Sequence, residues 1–323
     1  MNPYADKNYL HAKIHALRSQ LLRRNDFIEI INAQRPHLAF PTLISENDSE
    51  DLSKVKEIIF RNQIKKVLLF IESSNYYRAL FEAFLRFFET GNVKLLLAKA
   101  FGRTVGIEQW NDISPYNVFE RGLLGRDISL GEFKPLLGNT YLKNVIADDF
   151  PSRYEELESR IDFCTVRYFL SFSKEILLNQ RSIFQEVMLR KIVLLRIVWG
   201  FRLRQNYGWD NDKISSHLSS LYDLIDEFNG KDELVLKTER QINRELNQSS
   251  GRIPEVSDIE NELERHFRSY IWKFFSRDFH SIYCVISYLW LLYYQIQNLF
   301  RIIEGFRFNV SPDIISKKII CEL

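Results

Sequence analysis

Cysteine is scarce in this chain of 323 residues: Cys164, Cys284 and Cys321 are odd in number, far apart and without any Cys-x-x-Cys spacing. That speaks against a disulfide framework or a zinc site built from them; reduced, buried thiols in a cytoplasmic compartment are expected. Glycine is also sparse, at twelve. No Gly-x-x-x-x-Gly-Lys-Ser/Thr run occurs, so the backbone cradle of a P-loop phosphate site is missing, and Gly122 with Gly125 reads as an ordinary turn. An excess of one charge is lacking too: 44 Lys+Arg face 42 Asp+Glu, a net +2. This removes the electrostatic case for a dedicated nucleic-acid binder, while a local basic patch stays open. The most apolar run, Ser281 to Tyr294, falls short of the ~18–20 residues of a spanning helix. Bounded by Arg277, Asp278 and His280, it reads as a buried core helix. The first six residues lack the basic start and apolar core of a secretory signal, so none is expected.

What is present points to helices. Apolar residues make up 46% and charged residues 27% with both signs interspersed, the composition of a folded globular chain. The length fits one large domain or two to three smaller units. Leu10, Ile14, Leu17 and Leu21 recur at helical spacing, with Arg23-Arg24-Asn25 closing that helix and Asp26 capping a second one. Helical periods run from Leu52 to Phe88 with a break near Ser73-Ser74-Asn75, and Gly91-Asn92 interrupts before Val93 starts another helix. Short helices and turns are expected from Gly102 to Phe150. Ser152 with Glu155 fits a capping box, Asp212 opens a helix that Gly230 would close, and Asn247 to Gly251 is the best loop. Ile259, Leu263, Phe267 and Tyr270 mark a further amphipathic helix. Alternating strand patterns are scarce, and the class is all-α.

An internal repeat carries more information. Val193 to Arg202 overlays Asn298 to Arg307 at a constant offset of 105 residues, with Leu, Arg, Ile, Gly, Phe and Arg coinciding; Lys94 to Arg103 is a weaker third match. The expected architecture is three pseudo-repeated helical bundles, 1–105, 106–211 and 212–323. Each copy ends an apolar helix with basic residues, Arg103, Arg202, Arg204 and Arg307, which complement the negative helix end. Phe84, Phe87, Phe88, Tyr288, Trp290, Tyr293 and Tyr294 lie on long apolar helices, where core packing is the expected role and lining an inner wall the alternative.

Residues that could carry chemistry do not assemble in the sequence. His11 and His15 share a helix face, but Ala12 stands where His-Glu-x-x-His needs glutamate, and surface or partner-facing histidines are expected. Asp148-Asp149 lacks the further carboxylates of an aspartate-rich magnesium helix, because position 152 is serine; a helix entry is expected instead. No Ser-His-Asp or Cys-His constellation is evident. No metal or cofactor is expected.

The order of features resembles the C subunit of bacterial and archaeal V/A-type rotary ATPases, called d in eukaryotic V-ATPases. Tyr9 to Leu22 looks like that family's opening helix, and Tyr288 to Leu299 like its final one. Asn298, Ile302, Ile303 and Gly305 match the family's closing pattern, while Gln295 and Gln297 replace its usual acidic and basic positions. The resemblance implies a funnel of three helical bundles on the cytoplasmic face of the membrane c-ring, receiving the foot of an axle made by subunits D and F. It implies torque transmission with no active site and no nucleotide of its own, and membrane contact only through the complex. Arg103, Arg202, Arg204 and Arg307 would then ring the opening and meet acidic partner residues. The competing expectation is a stand-alone helical scaffold or enzyme, which one deep pocket with paired acids would favour.

Overall fold

The computed structural model describes residues 3–33, 35–40, 44–45, 51–73, 77–146, 151, 153–172, 176, 178–227, 255–275 and 281–321. Five helices come first: α1 (Pro3–Arg18), α2 (Arg24–Ala33), α3 (Pro36–Ala39), α4 (Leu52–Ser73) and α5 (Arg78–Ala100). Single 3-10 turns at Ile107–Gln109 and Arg121–Gly125 lead to α6 (Leu130–Gly138), and another at Lys143–Ile146 leads on. Then follow α7 (Tyr154–Ser171), α8 (Leu178–Gln205), α9 (Asn211–Glu227), α10 (Val256–Phe275), α11 (Ile282–Arg307) and α12 (Pro312–Lys318). No strand occurs among the described residues, so the chain is all-helical. The readings placed on Asp148-Asp149, Ser152, Gly230 and the 247–251 loop lie outside the described residues.

The apolar run at Ser281 is the spine of the fold. α11 is buried on nearly every face and packs against α1, α2, α4, α8, α10 and α12, as a helix apolar all round must. Trp290 at its middle meets Phe84 of α5 and Phe267 of α10 edge-on, with centroids 5.9 and 5.4 Å apart. A second core gathers α5, α6 and α7 around Phe133 and Leu142, and a third joins α2 and α4 to α11 and α12. Of the cysteines, Cys284 and Cys321 are buried and Cys164 is half-buried; burial pushes the Cys164 thiol up to about 11. No described helix is long and apolar enough to cross a membrane.

Local signals read in the sequence shift where tertiary contacts outweigh them. The first helix already ends at Arg18, and Arg24 belongs to α2; Asp26 sits inside that helix and reaches back to accept from the Arg23 N–H at 2.6 Å. Gly91-Asn92 does not interrupt: α5 runs straight through. A Cβ at Gly91 would stand 3.0 Å from Asn111 Nδ2, so the glycine admits a close neighbour instead of ending the helix. A capping box exists at Ser129 and Glu132, opening α6.

Three long helices end alike. Gly102 after α5, Gly208 after α8 and Asn309 after α11 are left-handed, with φ of 72°, 66° and 52°. Beyond each, a backbone N–H turns back into the last turn: Arg103 to Ala98 O at 2.9 Å, Trp209 to Leu203 O at 3.0 Å and Val310 to Gly305 O at 2.9 Å.

α9 is fastened to α7 by Ser159 and His217, 2.6 Å apart. The Ser159 hydroxyl donates to Glu156 O at 3.0 Å, so its oxygen accepts from Nε2–H. Burial, helped by Arg160 and Lys213, holds His217 down at about 4. The unfolded histidine takes its proton near 6.5, and the folded one refuses it until about 4. Stability is therefore whole above pH 6.5 and drains as pH falls toward 4, by at most about 3 kcal/mol. Urea midpoints of His217→Asn should fall less between pH 7 and 4.5 than those of the parent; equal slopes would refute this.

Candidate functional site

A cavity of about 410 Å³ lies between α4, α5, α7, α8, α10 and α11. The three helices that end alike all wall it: Phe87, Phe88, Thr90, Gly91 and Lys94 from α5, Lys191, Leu195, Val198 and Arg202 from α8, and Tyr293, Tyr294, Gln297, Phe300 and Arg301 from α11. Of the seven aromatic residues singled out in the sequence, Phe87, Phe88, Tyr293 and Tyr294 line the cavity, and Phe84, Tyr288 and Trp290 do not. Phe88 and Tyr294 are fully buried core residues and also line the cavity.

Four of the five cations on this wall are paired across helices. Lys94 of α5 reaches Asp162 of α7 at 2.8 Å and Glu158 at 3.4 Å, and the indole of Trp199 donates to the same Asp162 at 3.1 Å. Lys191 of α8 holds both oxygens of Glu264 of α10 at 2.6 and 2.8 Å, and Tyr294 of α11 donates to it as well. Burial would raise Glu264, but the Lys191 charge and these donors outweigh it and hold the carboxyl below its usual range. The same burial, with Glu264 alongside, drives the Tyr294 phenol well above its ordinary value. Arg202 of α8 pairs with Glu260 of α10; burial would lower its guanidinium, and the hydrogen bond and charge of Glu260 leave it raised. Lys56 of α4 pairs with Glu304 at 3.1 Å.

Two asparagines build the wall in the same way. Asn92 of α5 donates to Asn111 O at 2.8 Å and accepts from Asn111 N–H at 2.7 Å. Asn298 of α11 does the same with Ile320, at 2.8 Å each way. Both are fully buried, and each presses a returning segment against the cavity, which Asn111 and Ile320 line. After α8 the chain continues differently: α9 begins three residues after the left-handed Gly208.

Of the arginines expected at the opening, only Arg202 lines it. Arg202 stands six residues before its left-handed cap residue and Arg307 only two, so α8 carries Arg202 about one turn deeper. Arg307 lies exposed at the rim, 3.7 Å from Glu108 and 3.9 Å from Glu304. Arg103 is exposed with its guanidinium 3.7 Å from the Tyr154 ring centroid, and Arg204 donates to Asn211 at 2.5 Å. Arg103, Arg202 and Arg307 are thus not at matching depths. His11 is buried edge-on to Tyr77 and so is an interior residue and not a surface one, while His15, half-buried, packs on Phe275 and meets Cys284 Sγ at 3.4 Å. Among the described residues no cluster of three His, Cys, Asp or Glu is placed to hold a metal.

Sequence reading missed Lys191, Glu264, Glu260 and Asn92. Arg301 stood opposite Arg196 in the overlay, and its signal was a cation in mid-helix rather than at a helix end. The closing motif now has a physical content. Ile302 and Ile303 pack against Ile315 and Ile319 in the third core, and a Cβ at Gly305 would lie 2.5 Å from Ile315 Cδ1, so only glycine lets α12 lie so close. Gln295 accepts from Leu22 N–H at 2.7 Å and donates to Gln63 at 2.8 Å. A carboxylate there could accept but not donate.

Among the described residues the chain is thus an all-helical fold whose cavity wall carries ion pairs from helix to helix. The family model described as ATP synthase (C/AC39) subunit matches residues 10–318, and the chain belongs to that family, a subunit of V/A-type rotary ATPases. A search of the curated proteins finds no match.

Proposed function

We propose that this chain is the central-stalk rotor subunit that links the D and F axle to the membrane c-ring and transmits torque without chemistry of its own. Three units, 1–105, 106–211 and 212–323, each contribute one of the helices α5, α8 and α11 to the wall of the opening. The observation that carries this reading is the cavity bounded by all three helices, each closed by a left-handed residue. The paired asparagine clamps of α5 and α11 support it further. Cross-helix ion pairs around the cavity would stiffen the wall, as a part that passes torque requires. The outward rim at Arg307 and Phe308, the latter 70% exposed, would meet the axle beside the cavity.

The purified chain mixed with a D–F axle pair should elute as one complex in size-exclusion chromatography, and Arg307→Glu should weaken that complex at low salt while leaving the fold intact. Separate elution of the unmodified chain would overturn the reading. Reversal of Arg202 is a poor probe of docking, because it would set a carboxylate against Glu260 inside the wall.

A further inference from the structure

Four of the five cations on the cavity wall are held in ion pairs: Lys56, Lys94, Lys191 and Arg202. Arg301 is the fifth. Its Nη1 donates to Lys318 O at 2.8 Å, and among the described residues no carboxylate lies within pairing distance of it. Glu264 and Glu260 act on it only from farther off, and each already holds its own cation. A guanidinium with open N–H donors in a partly dehydrated cavity is best satisfied by a carboxylate, which its fork matches.

Size selects the form in which that carboxylate arrives. A helix of 10–12 Å diameter rising 1.5 Å per residue fills about 410 Å³ with roughly three residues, so the cavity takes a tip and not a shaft. Resting on the rotor reading, we propose that Arg301 receives a carboxylate at the tip of the axle, from an acidic side chain or the chain terminus, and that this bond seats the axle in the cavity. Gln297 stands one turn earlier on the same face of α11 and lines the same cavity, so it flanks the seat.

The test is axle-pair affinity by biolayer interferometry, with a melting curve for each variant. Arg301→Gln should weaken binding at least about 30-fold, since a desolvated charge pair loses one partner. Arg301→Lys should recover part of that loss. Gln297→Glu offers a probe independent of removing the arginine: a glutamate four residues before Arg301 occupies the guanidinium in cis, so binding should fall about tenfold with an unchanged or raised melting temperature. If the unmodified chain binds the axle but Arg301→Gln or Gln297→Glu binds equally well, the seat is refuted and the rotor reading survives. If the unmodified chain fails to bind at all, the rotor reading falls and takes the seat with it. If millimolar inorganic phosphate raises the melting temperature of the unmodified chain but not of Arg301→Gln, the site serves a free anion and the proposal is overturned.

Discussion

Glu89→Ala is expected to lower stability by about 3–5 kcal/mol, the cost of breaking a buried charge pair from one side. Glu89 is completely buried on α5. One oxygen takes the Arg86 guanidinium, and the other accepts the backbone N–H groups of Val118 and of Phe119, the latter at 3.3 Å. Arg86 in turn donates to Tyr116 O at 2.8 Å. One carboxylate therefore fastens the segment from Asn111 to Phe119, whose first residue forms part of the cavity wall. Removing it strands a half-buried guanidinium and two backbone donors, with a melting point lower by roughly 10 °C. Glu89→Gln should cost less, about 1–3 kcal/mol, because an amide oxygen still accepts one N–H. Urea unfolding of both variants checks this; an alanine variant within 1 kcal/mol of the parent would show that Arg86 and the loop find other partners.

The clamp substitutions Asn92→Ala and Asn298→Ala should each cost about 2–4 kcal/mol, since each leaves a buried backbone N–H and C=O without partners. Their similar size is the informative part. The asparagines lie ten residues before Gly102 and eleven before Asn309, and both hold a segment that returns after the left-handed cap. Hydrogen exchange gives a local reading: the Asn111 amide should exchange faster in Asn92→Ala, and the Ile320 amide in Asn298→Ala. Protection that survives in either variant would mean packing alone holds the segment. Asn→Asp should fall between, keeping the acceptor and losing the donor.

The helical class, the buried run at Ser281, the match of the closing motif and the three long helices with basic ends were all legible in the linear chain. Each is a local or periodic property: a helix shows its buried face every 3.6 residues whatever it packs against. What only the tertiary structure decided are pairings between residues distant in sequence. Gly91-Asn92 reads as a helix break until Asn111 is seen lying against it, 19 residues on. Arg202 and Arg307 share a place in the overlay, yet α8 runs about one turn beyond its arginine, so one faces the cavity and the other the rim. Arg301 looks like any cation on a long helix; that it has no carboxylate among the described residues appears only when the acids of α7 and α10 are seen already taken by Lys94, Lys191 and Arg202. Periodicity records that a face is covered, and the partner that covers it is set by how the helices stack.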